Sequence, residues 1–398
     1  MATDCDIVIS GAGIAGLTAA AALGAAGFRV VCVDPGAPVT TPEAPGADLR
    51  STALLQPARA LLERAGLWDR LAPHAAALQV MRIVDAGGAR AEPRVLRDFR
   101  AEDLSDAPFG WNLPNWLLRR EILARIAELD RVDFRPGIGT RGLFARDSGA
   151  RVTLSDGSRI DCRLVLAADG RHSPMREAAG IAVRTRRYGQ KALAFAVTHD
   201  IPHDHVSTEI HRSGGPFTLV PLPDLDGRPC SAVVWMERGP RAAELMALED
   251  AEFETAMTER SCGLFGTLRL ASRRSLWPIL SQQAVRLTAP RLALMAEAGH
   301  VVPPIGAQGL NMSLGDLRTL LDLALARPEA LGDARMLADY ETARRREIQI
   351  RVAGIDLLNR ASMAETRLLR DLRALGLAAL YDLAPVRRML MQMGLGLR

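Results

Sequence analysis

The stretch DIVISGAGIAGLTAAAALGAAGFRVVCVD, residues 6–34, decides the fold. It opens with a short β-branched run over 6–10 and continues into three glycines in the spacing G-x-G-x-x-G, which are Gly11, Gly13 and Gly16. A helix of small residues over 17–26 and a second apolar strand over 29–33 follow. The stretch therefore predicts a strand, a loop, a helix and a strand that together bind a dinucleotide.

Each glycine in this loop has its own physical reason. The first allows the tight turn, the second lets the backbone approach a pyrophosphate, and the third lets the helix pack close to the strand. The N-terminus of the helix adds N–H groups and the positive end of the helix dipole. Asp34 ends the second strand, where it is placed to accept hydrogen bonds from a ribose. The alternative is a surface turn before an Ala-rich core helix, and the agreement of strand, glycines, helix and acid argues against it.

The composition excludes several classes of function. The 398 residues include 50 basic and 46 acidic ones, and aromatic residues are 4% of the chain, so neither charge nor base stacking indicates nucleic acid as a partner. The five cysteines are scattered and contain no C-x-x-C pair, so we predict neither a disulfide framework nor a metal site, as fits a reducing cytoplasm. We also expect no signal peptide before the first strand and no membrane-spanning helix.

Beyond residue 34 the pattern alternates between two kinds of layer. Strand-like stretches with one solvated face alternate with buried strands that belong to the nucleotide layer. We therefore predict an α/β fold, in which a Rossmann-like nucleotide-binding domain is interleaved with a mostly antiparallel β-sheet substrate domain and followed by C-terminal helices. The predicted divisions are 1–77, 111–185 and 286–330 for the nucleotide-binding domain, 78–110 and 186–285 for the sheet domain, and 331–398 for the helical region.

The pattern also predicts three local features. Residues 78–99 predict a hairpin that turns at Gly87 and Gly88. Residues 111–129 return to a helical period, with Pro114 at the start. One helix is predicted near 243–258.

Three clusters of glycine and acid each follow an apolar strand. They are GAGIAG at 11–16, AADGRHS at 167–173, and AEAGH with PPIGAQGLN between 296 and 311. With these motifs the chain resembles the FAD-dependent aromatic-ring hydroxylases of the p-hydroxybenzoate hydroxylase fold, and most closely the ubiquinone-biosynthesis hydroxylase family. The family's D-G motif is matched by Asp169, Gly170, Ser173 and Arg176. The resemblance extends over essentially the whole chain, including the D-L-R at 48–50 and the N-x-x-L-R at 115–119.

The resemblance implies a tightly held FAD whose AMP half lies at residues 11–34. The FAD-binding residues that it implies are Gly11, Gly13, Ile14, Ala15, Gly16, Asp34, Arg50, Asn115, Arg119, Asp169, Glu297, Gly306, Ala307, Gln308, Gly309, Leu310 and Asn311. Simpler interpretations stay open for some of them: Arg50 and Asn115 as surface residues, Asp169 as an Asp-Gly turn, and Glu297 with His300 as polar residues that face solvent at a strand end.

The chain departs from the family pattern at the third motif. The family's G-D pair is Ala296 and Glu297 here, and its glycine before the Gln-Gly is Ala307. The family's aspartate bonds the ribitol chain of FAD, and we expect Glu297 to take its place. Alanine at 307 lacks the freedom of glycine to adopt a positive φ.

The implied chemistry belongs to the cofactor. The seven histidines are dispersed and neither G-x-S-x-G nor H-E-x-x-H occurs, so no catalytic side chain is assigned. The resemblance implies that NAD(P)H or another reductant, bound transiently, reduces FAD, that O₂ adds to form the flavin 4a-hydroperoxide, and that a phenol ring attacks its distal oxygen.

The leading hypothesis is hydroxylation of the aromatic ring of a polyprenyl phenol in ubiquinone biosynthesis. The predicted substrate pocket lies against the second sheet and is lined by Phe217, Leu219, Pro221, Trp235 and Pro304. The alternatives are an FAD hydroxylase of a soluble aromatic compound, a related reductase or halogenase, and a non-catalytic scaffold that retains the hydroxylase fold.

A polyprenyl phenol dissolves in membranes, so such an enzyme must reach lipid or a membrane complex. Residues 368–397 carry apolar residues at helical spacing, with arginines between them at Arg370, Arg373, Arg387 and Arg388. They predict an interfacial helix pair on anionic lipid, or a surface for other ubiquinone-biosynthesis proteins. A helical cap packed on the core is the alternative. The predicted location is the cytoplasm, with peripheral contact at the inner membrane as a further hypothesis.

Overall fold

A computed structural model describes residues 3–87, 91–212 and 214–363, together with Tyr381, Arg388, Met389, Met391, Gln392 and Gly394. The strands of the described residues, in chain order, are β1 Ile7–Ser10, β2 Val30–Asp34, β3 Ser51–Leu55, β4 Ala76–Leu78, β5 Val80–Asp85, β6 Val95–Arg100, β7 Gly110–Pro114, β8 Val132–Pro136, β9 Thr140–Arg146, β10 Gly149–Leu154, β11 Arg159–Cys162, β12 Leu164–Ala167, β13 Val183–His199, β14 Val206–His211, β15 Pro216–Leu225, β16 Arg228–Arg238, β17 Leu268–Leu270, β18 Ser275–Ala284, β19 Thr288–Ala289, β20 Leu292–Leu294 and β21 His300–Val301. The α-helices are α1 Ile14–Ala25, α2 Gln56–Arg64, α3 Trp68–Leu71, α4 Asn115–Ile126, α5 Pro174–Ala178, α6 Gly239–Ala247, α7 Asp250–Arg260, α8 Gln308–Ala326 and α9 Ala334–Ser362.

The nucleotide layer is a sheet with β1 at its centre. Its strand order is β19-β20-β12-β1-β2-β8, and β1 runs parallel to both β2 and β12. All four residues of β1 are buried, because Ile7 and Ile9 pack with α1, α4 and α8 while Val8 packs with the hairpin strands β10 and β11. A parallel strand covered on both faces reads as a continuous apolar run, which is why the sequence reveals it so clearly.

The second sheet holds nine strands among the described residues. The order is β21-β18-β13-β16-β15-β14-β5-β6, with β17 beside β13. Its pairs are antiparallel except that of β5 with β14. One face packs against α6 and α7, and the other faces the nucleotide layer. The chain enters this sheet at β5 and again at β13, so the predicted interleaving and fold class are confirmed, while the domain boundaries stay a prediction.

Two predicted helices differ in the structure. Residues 110–114 form β7, and the helix begins only at Asn115, because proline donates no N–H and disfavours helical backbone in the residue before it. The helix predicted near 243–258 is two helices, α6 and α7, separated by extended backbone at Leu248 and Glu249. β5 and β6 pair as the predicted hairpin, although Gly88 lies outside the described residues.

No described helix is both long and apolar enough to span a bilayer. Most of the predicted interfacial helix pair at 368–397, including Arg370, Arg373 and Arg387, lies outside the described residues.

Candidate cofactor site

The glycine loop has one crowded side and one open side. Gly11 has φ +102°, and a Cβ built there would lie 2.4 Å from the carbonyl oxygen of Ala168. A Cβ on Gly16 would lie 2.0 Å from the carbonyl oxygen of Gly11. A Cβ on Gly13 would meet no atom within 4 Å. The crowded glycines therefore hold the strand-to-helix packing, and the open space lies in front of Gly13.

That open space faces the N-terminus of α1. Gly13 is the N-cap, no side chain caps the helix, and the first turn contains no acid. The first N–H groups of the helix, including those of Ile14 and Ala15, therefore remain available to an anion. Asp34 lies beside this loop, where its Oδ2 accepts from the Ala12 N–H at 2.7 Å. Because a carboxylate oxygen has two lone pairs, it can still accept from a ribose hydroxyl.

A cluster of charged and amide side chains lies at the start of β3 and α4. Asp48 accepts two hydrogen bonds at 2.7 Å from the guanidinium of Arg50 and one at 2.9 Å from Asn115. Arg119 lies 3.7 Å from the same carboxylate. Asp48 therefore gathers three residues that the resemblance assigns to FAD, although sequence reasoning did not assign Asp48 itself.

Two guanidinium groups, those of Arg50 and Arg119, surround the single carboxylate of this cluster. Burial by itself would raise the pKa of Asp48, but the hydrogen bonds from Arg50 and Asn115 and the charge of Arg119 outweigh it and lower the pKa below its ordinary value. The Arg50 guanidinium also lies 4.3 Å above the ring of Trp277, a cation–π contact that joins the cluster to β18. Arg50 is thus not an unattached surface residue.

Asp169 follows β12 at the carboxyl edge of the nucleotide sheet. Its Oδ2 accepts from the Ser10 hydroxyl at 3.0 Å and from the Met175 N–H at 3.2 Å. Burial raises the pKa of this carboxyl above its ordinary value. Ser173, the N-cap of α5, accepts from the Arg176 N–H at 3.0 Å.

The 296–311 loop connects a short 3₁₀ turn at Ala296–Ala298 to the first turn of α8. Ala296 and Ala307 both have positive φ, +54° and +56°, so these alanines adopt the left-handed backbone that suits the family's glycines. Ala307 is the N-cap of α8, with no side-chain cap and no acid in the first turn. The N–H groups at the start of α8 are consequently available to a negatively charged group.

A buried ion cluster holds the start of this loop. Asp316 on α8 accepts from the Ala296 N–H at 3.0 Å, and its Oδ2 lies 2.6 Å from Nε2 of His300. Arg344 on α9 donates from Nε to the other oxygen of Asp316 at 2.8 Å. Burial opposes ionisation of Asp316, but His300 and Arg344 outweigh it and its pKa is lowered. His300 is therefore a buried partner of Asp316, whereas Glu297 is exposed as the solvent-facing interpretation expected.

The remaining loop residues surround the end of β3. Asn311 donates to the Ala53 carbonyl at 2.7 Å and accepts from the Leu55 N–H at 2.9 Å, which fastens α8 to β3. Gln308 is buried, Gly306 and Gly309 are exposed, and Leu310 is half-buried.

Four of the predicted substrate residues belong to the second sheet, and the fifth, Pro304, belongs to the 296–311 loop. Phe217, Leu219 and Trp235 are 0%, 0% and 3% exposed and pack with α6 and α7, on the face turned away from the nucleotide layer. Phe217 and Trp235 are cross-strand partners with their rings 5.3 Å apart. Pro221 is buried in β15, and Pro304 is exposed in the 296–311 loop. The structure therefore does not bring these five residues together around one pocket.

The residues present fit FAD. The open space before Gly13 and the uncapped start of α1 suit a pyrophosphate, and Asp34 suits a ribose. The second uncapped helix start, at α8, suits the electron-rich edge of an isoalloxazine ring. One uncapped helix start lies at the carboxyl edge of the nucleotide sheet, and the other follows the 296–311 loop. FAD needs two such sites, one for its pyrophosphate and one for its flavin ring.

Comparison with known proteins agrees with this geometry. A family model described as an FAD binding domain matches residues 4–354, and the chain belongs to this family of FAD-dependent monooxygenases. The ubiquinone hydroxylase UbiL of Rhodospirillum rubrum is 33% identical over 98% of this chain and 89% of its own length. The mitochondrial ubiquinone biosynthesis monooxygenase COQ6 of Rattus norvegicus is 27% identical over 97% of this chain and 90% of its own.

A solved structure supports the fold independently. The p-nitrophenol 4-monooxygenase PnpA of Pseudomonas putida superposes with a TM-score of 0.80 over 100% of both chains, at 20% sequence identity. The family, the fold class and the FAD cofactor inferred from the sequence motifs are thus confirmed.

Sequence reasoning missed Asp48, Trp277, Asp316 and Arg344. One signal was present for Asp316: an acid on the apolar face of a predicted helix, at helical spacing from Met312 and Leu320. Nothing in the sequence marks Trp277 as the partner of Arg50.

Proposed function

We propose that the protein hydroxylates the aromatic ring of a polyprenyl phenol intermediate in ubiquinone biosynthesis. The observation that carries the proposal is the 33% identity, over nearly the full chain, to a protein named ubiquinone hydroxylase. When bound, FAD supplies the redox chemistry, taking electrons from NAD(P)H or another reductant and passing one oxygen atom of O₂ to the ring while the other leaves as water.

We assign the chain's own residues to holding that cofactor. Gly11, Gly13, Ile14, Ala15 and Gly16 form the pyrophosphate cradle, and Asp34 accepts from the ribose. Arg50, Asn115, Arg119 and Asp169 would hold the middle of FAD, and Glu297 would bond its ribitol chain. The N–H groups presented by Gly306, Ala307, Gln308, Gly309 and Leu310 would stabilise negative charge on the flavin ring, and the Asn311 side chain would hold this loop against β3.

The proposed substrate surface is the face of the second sheet opposite Phe217 and Trp235. Alternation along β15 and β16 places Thr218, Val220 and Val234 on that face, and all three are half-buried. Val234 packs against the core of the nucleotide layer, which supports the inference that this face looks toward the flavin. An apolar surface of this kind orients a ring and excludes water from it.

Asn112 of β7 offers this surface a polar group. Its Nδ2 donates to the Pro221 carbonyl at 2.8 Å, which fixes the amide. Its Oδ1 is buried and meets no donor among the described residues. Asn112 pairs across strands with Ala53, whose carbonyl accepts from Asn311 of the 296–311 loop. We therefore assign Asn112 to accept a hydrogen bond from a ring hydroxyl of the substrate.

The proposed activity can be tested with purified protein. The protein is reconstituted with FAD and given NAD(P)H, isotopically labelled O₂ and a prenylated phenol, and products are read by mass spectrometry. A labelled hydroxyl on the prenylated ring supports the proposal. Equal turnover of the same phenol without its prenyl chain contradicts the substrate class and favours a soluble aromatic substrate. Failure to take up FAD favours a scaffold.

We further propose that the protein meets this substrate at a lipid surface. The outer face of α9 supports this, since Ile350, Leu357 and Leu358 are 53%, 69% and 58% exposed and lie at helical spacing. Arg346 and Arg360 flank them and are also exposed. An apolar stripe edged by arginines suits anionic lipid headgroups.

A further inference from the structure

We propose that Asp316, Arg344, Glu347 and Arg351 form a positioning network that fixes the two ends of the 296–311 loop relative to each other. The proposal rests on the assigned role of this loop at the flavin, and it is independent of the aromatic substrate. The hydrogen bonds of these four residues run to the 296–311 loop, to α8 and to α9, so each acts through other residues.

The network begins at the first residues of the loop, Ala296 and Glu297. Asp316 holds the backbone N–H of Ala296, the residue before Glu297, and also the ring of His300. Asp316 belongs to α8, whose N-terminus is the other end of the loop. One carboxylate, 1% exposed, thus ties the start of the loop to the helix that ends it.

α9 carries the connection onward through Arg344. Besides Asp316, this guanidinium contacts the carboxylate of Glu347 and donates to the Met312 carbonyl at 3.1 Å. A Cβ on Gly315 would lie 3.0 Å from Nη2 of Arg344. Glycine at this position therefore leaves space for the arginine against the backbone of α8. The arginine side chain is 1% exposed, yet all three of its nitrogens have partners.

The chain of contacts closes at the other end of the loop. Glu347 accepts from Nε of Arg351 at 3.1 Å, and Nη1 of Arg351 donates to Oε1 of Gln308 at 2.6 Å. The amide nitrogen of Gln308 donates to the carbonyls of Gly306 and Gly394, at 2.8 and 2.9 Å. Arg351 therefore fixes which way the Gln308 amide points, and with it the backbone that precedes α8.

The network is better suited to fixing the positions of the loop ends than to raising the stability of the protein. Buried ion pairs often contribute little net stability compared with apolar residues of similar size, because the desolvation of the charges offsets their attraction. A fully paired polar network does specify one arrangement of the groups that it joins. Here those groups are the two backbone segments that FAD would contact.

The test uses Arg351→Met, because this side chain is at the edge of the network and 18% exposed. Arg345→Met is the matched control: it lies on the same helix, is 52% exposed and pairs with Glu341. The dissociation constant of FAD is measured by fluorescence titration of the apoprotein, and the midpoint potential of the bound flavin is measured without substrate. We expect Arg351→Met to raise the dissociation constant of FAD about tenfold and to make the midpoint potential more negative. The dissociation constant of Arg345→Met should stay within about twofold of the parent value.

A double-mutant cycle tests the route. If Arg351 acts through Gln308, then Arg351→Met combined with Gln308→Leu binds FAD no more weakly than Gln308→Leu alone. Additive effects, or an Arg351→Met protein that matches Arg345→Met in both measurements, overturn the proposal. Arg351→Lys should recover part of the affinity, and circular dichroism with thermal unfolding of each apoprotein identifies a variant that fails to fold. Both measurements omit the phenol, so they stay informative if the proposed ring hydroxylation is wrong.

Discussion

Ala296 and Ala307 stand at the two ends of the 296–311 loop and share a left-handed backbone, with φ of +54° and +56°. For an L-residue with a Cβ this conformation costs roughly 1–2 kcal/mol. Two alanines therefore hold a backbone conformation that glycine adopts with less strain. The ion cluster around Asp316 holds the Ala296 N–H in place, so neighbouring contacts supply the constraint.

Ala307→Gly is expected to stabilise the apoprotein by about 0.5–1 kcal/mol, because relief of the left-handed strain exceeds the greater backbone entropy of glycine when unfolded. Ala296→Gly should stabilise the apoprotein by less, because the methyl group of Ala296 is buried and its burial is lost. Chemical denaturation measures both. The control is Ala338→Gly, at an exposed position within α9, which should lower the free energy of unfolding by about 1 kcal/mol. A loss of stability in Ala307→Gly would contradict the strain argument.

Gly13→Ala and Gly16→Ala should separate cofactor binding from folding. A Cβ on Gly13 enters open space, so the apoprotein should keep its stability while FAD affinity falls by about tenfold or more. A Cβ on Gly16 meets the Gly11 carbonyl, so that variant should lose stability before FAD is added. Thermal unfolding of the apoprotein and FAD titration give the two quantities. Equal FAD affinity in Gly13→Ala and the parent would place the pyrophosphate elsewhere.

Asp48→Asn should change how stability depends on pH. The folded pKa of Asp48 is lowered, so its stabilising contribution is complete above the unfolded carboxyl pKa of about 3.9 and is lost as the pH falls through the folded value. We expect the variant to lose about 2 kcal/mol at neutral pH and to show a smaller decline below about pH 4. Asp322→Asn, which removes an exposed pair with Arg64, should cost at most about 1 kcal/mol. Parallel pH curves for parent and Asp48→Asn would refute the assignment.

Asn112→Val should raise KM for the phenol about 2- to 10-fold with a smaller change in kcat, because one hydrogen bond to the ring hydroxyl is lost. The matched control is Thr208→Val, which removes another buried side-chain oxygen that has no partner among the described residues. Thr208 pairs with Leu219, on the face away from the nucleotide layer. Steady-state kinetics with the phenol methylated at that hydroxyl provide the check. The KM values of the variant and the parent for this compound should differ little.

Leu357→Glu combined with Leu358→Glu should reduce co-sedimentation with anionic phospholipid vesicles by more than about tenfold, because two exposed apolar side chains are lost from the proposed lipid surface. Ala338→Glu with Thr342→Glu adds the same charge at exposed positions earlier on α9 and should bind almost as well as the parent. A parent protein that stays in the supernatant at low salt would refute the lipid surface.

The sequence by itself determined the nucleotide half of this protein. Residues 6–34 reveal it because a parallel strand buried on both faces is a continuous apolar run, and because Gly11 and Gly16 stand where a Cβ would clash with the backbone. The family followed from motifs of the same local kind at 167–173 and 296–311. The sequence also placed the hairpin of β5 and β6.

Only the tertiary structure decided which surfaces face each other. Phe217, Leu219 and Trp235 carry an apolar pattern that fits either face of a sheet, and the packing of α6 and α7 assigned them to the core. Asp316 and Arg344 meet across 28 residues of chain, and Arg50 meets Trp277 from a distant strand. Such contacts depend on long-range packing rather than on neighbouring residues, because a side chain's partner across the fold leaves no periodic trace in the sequence.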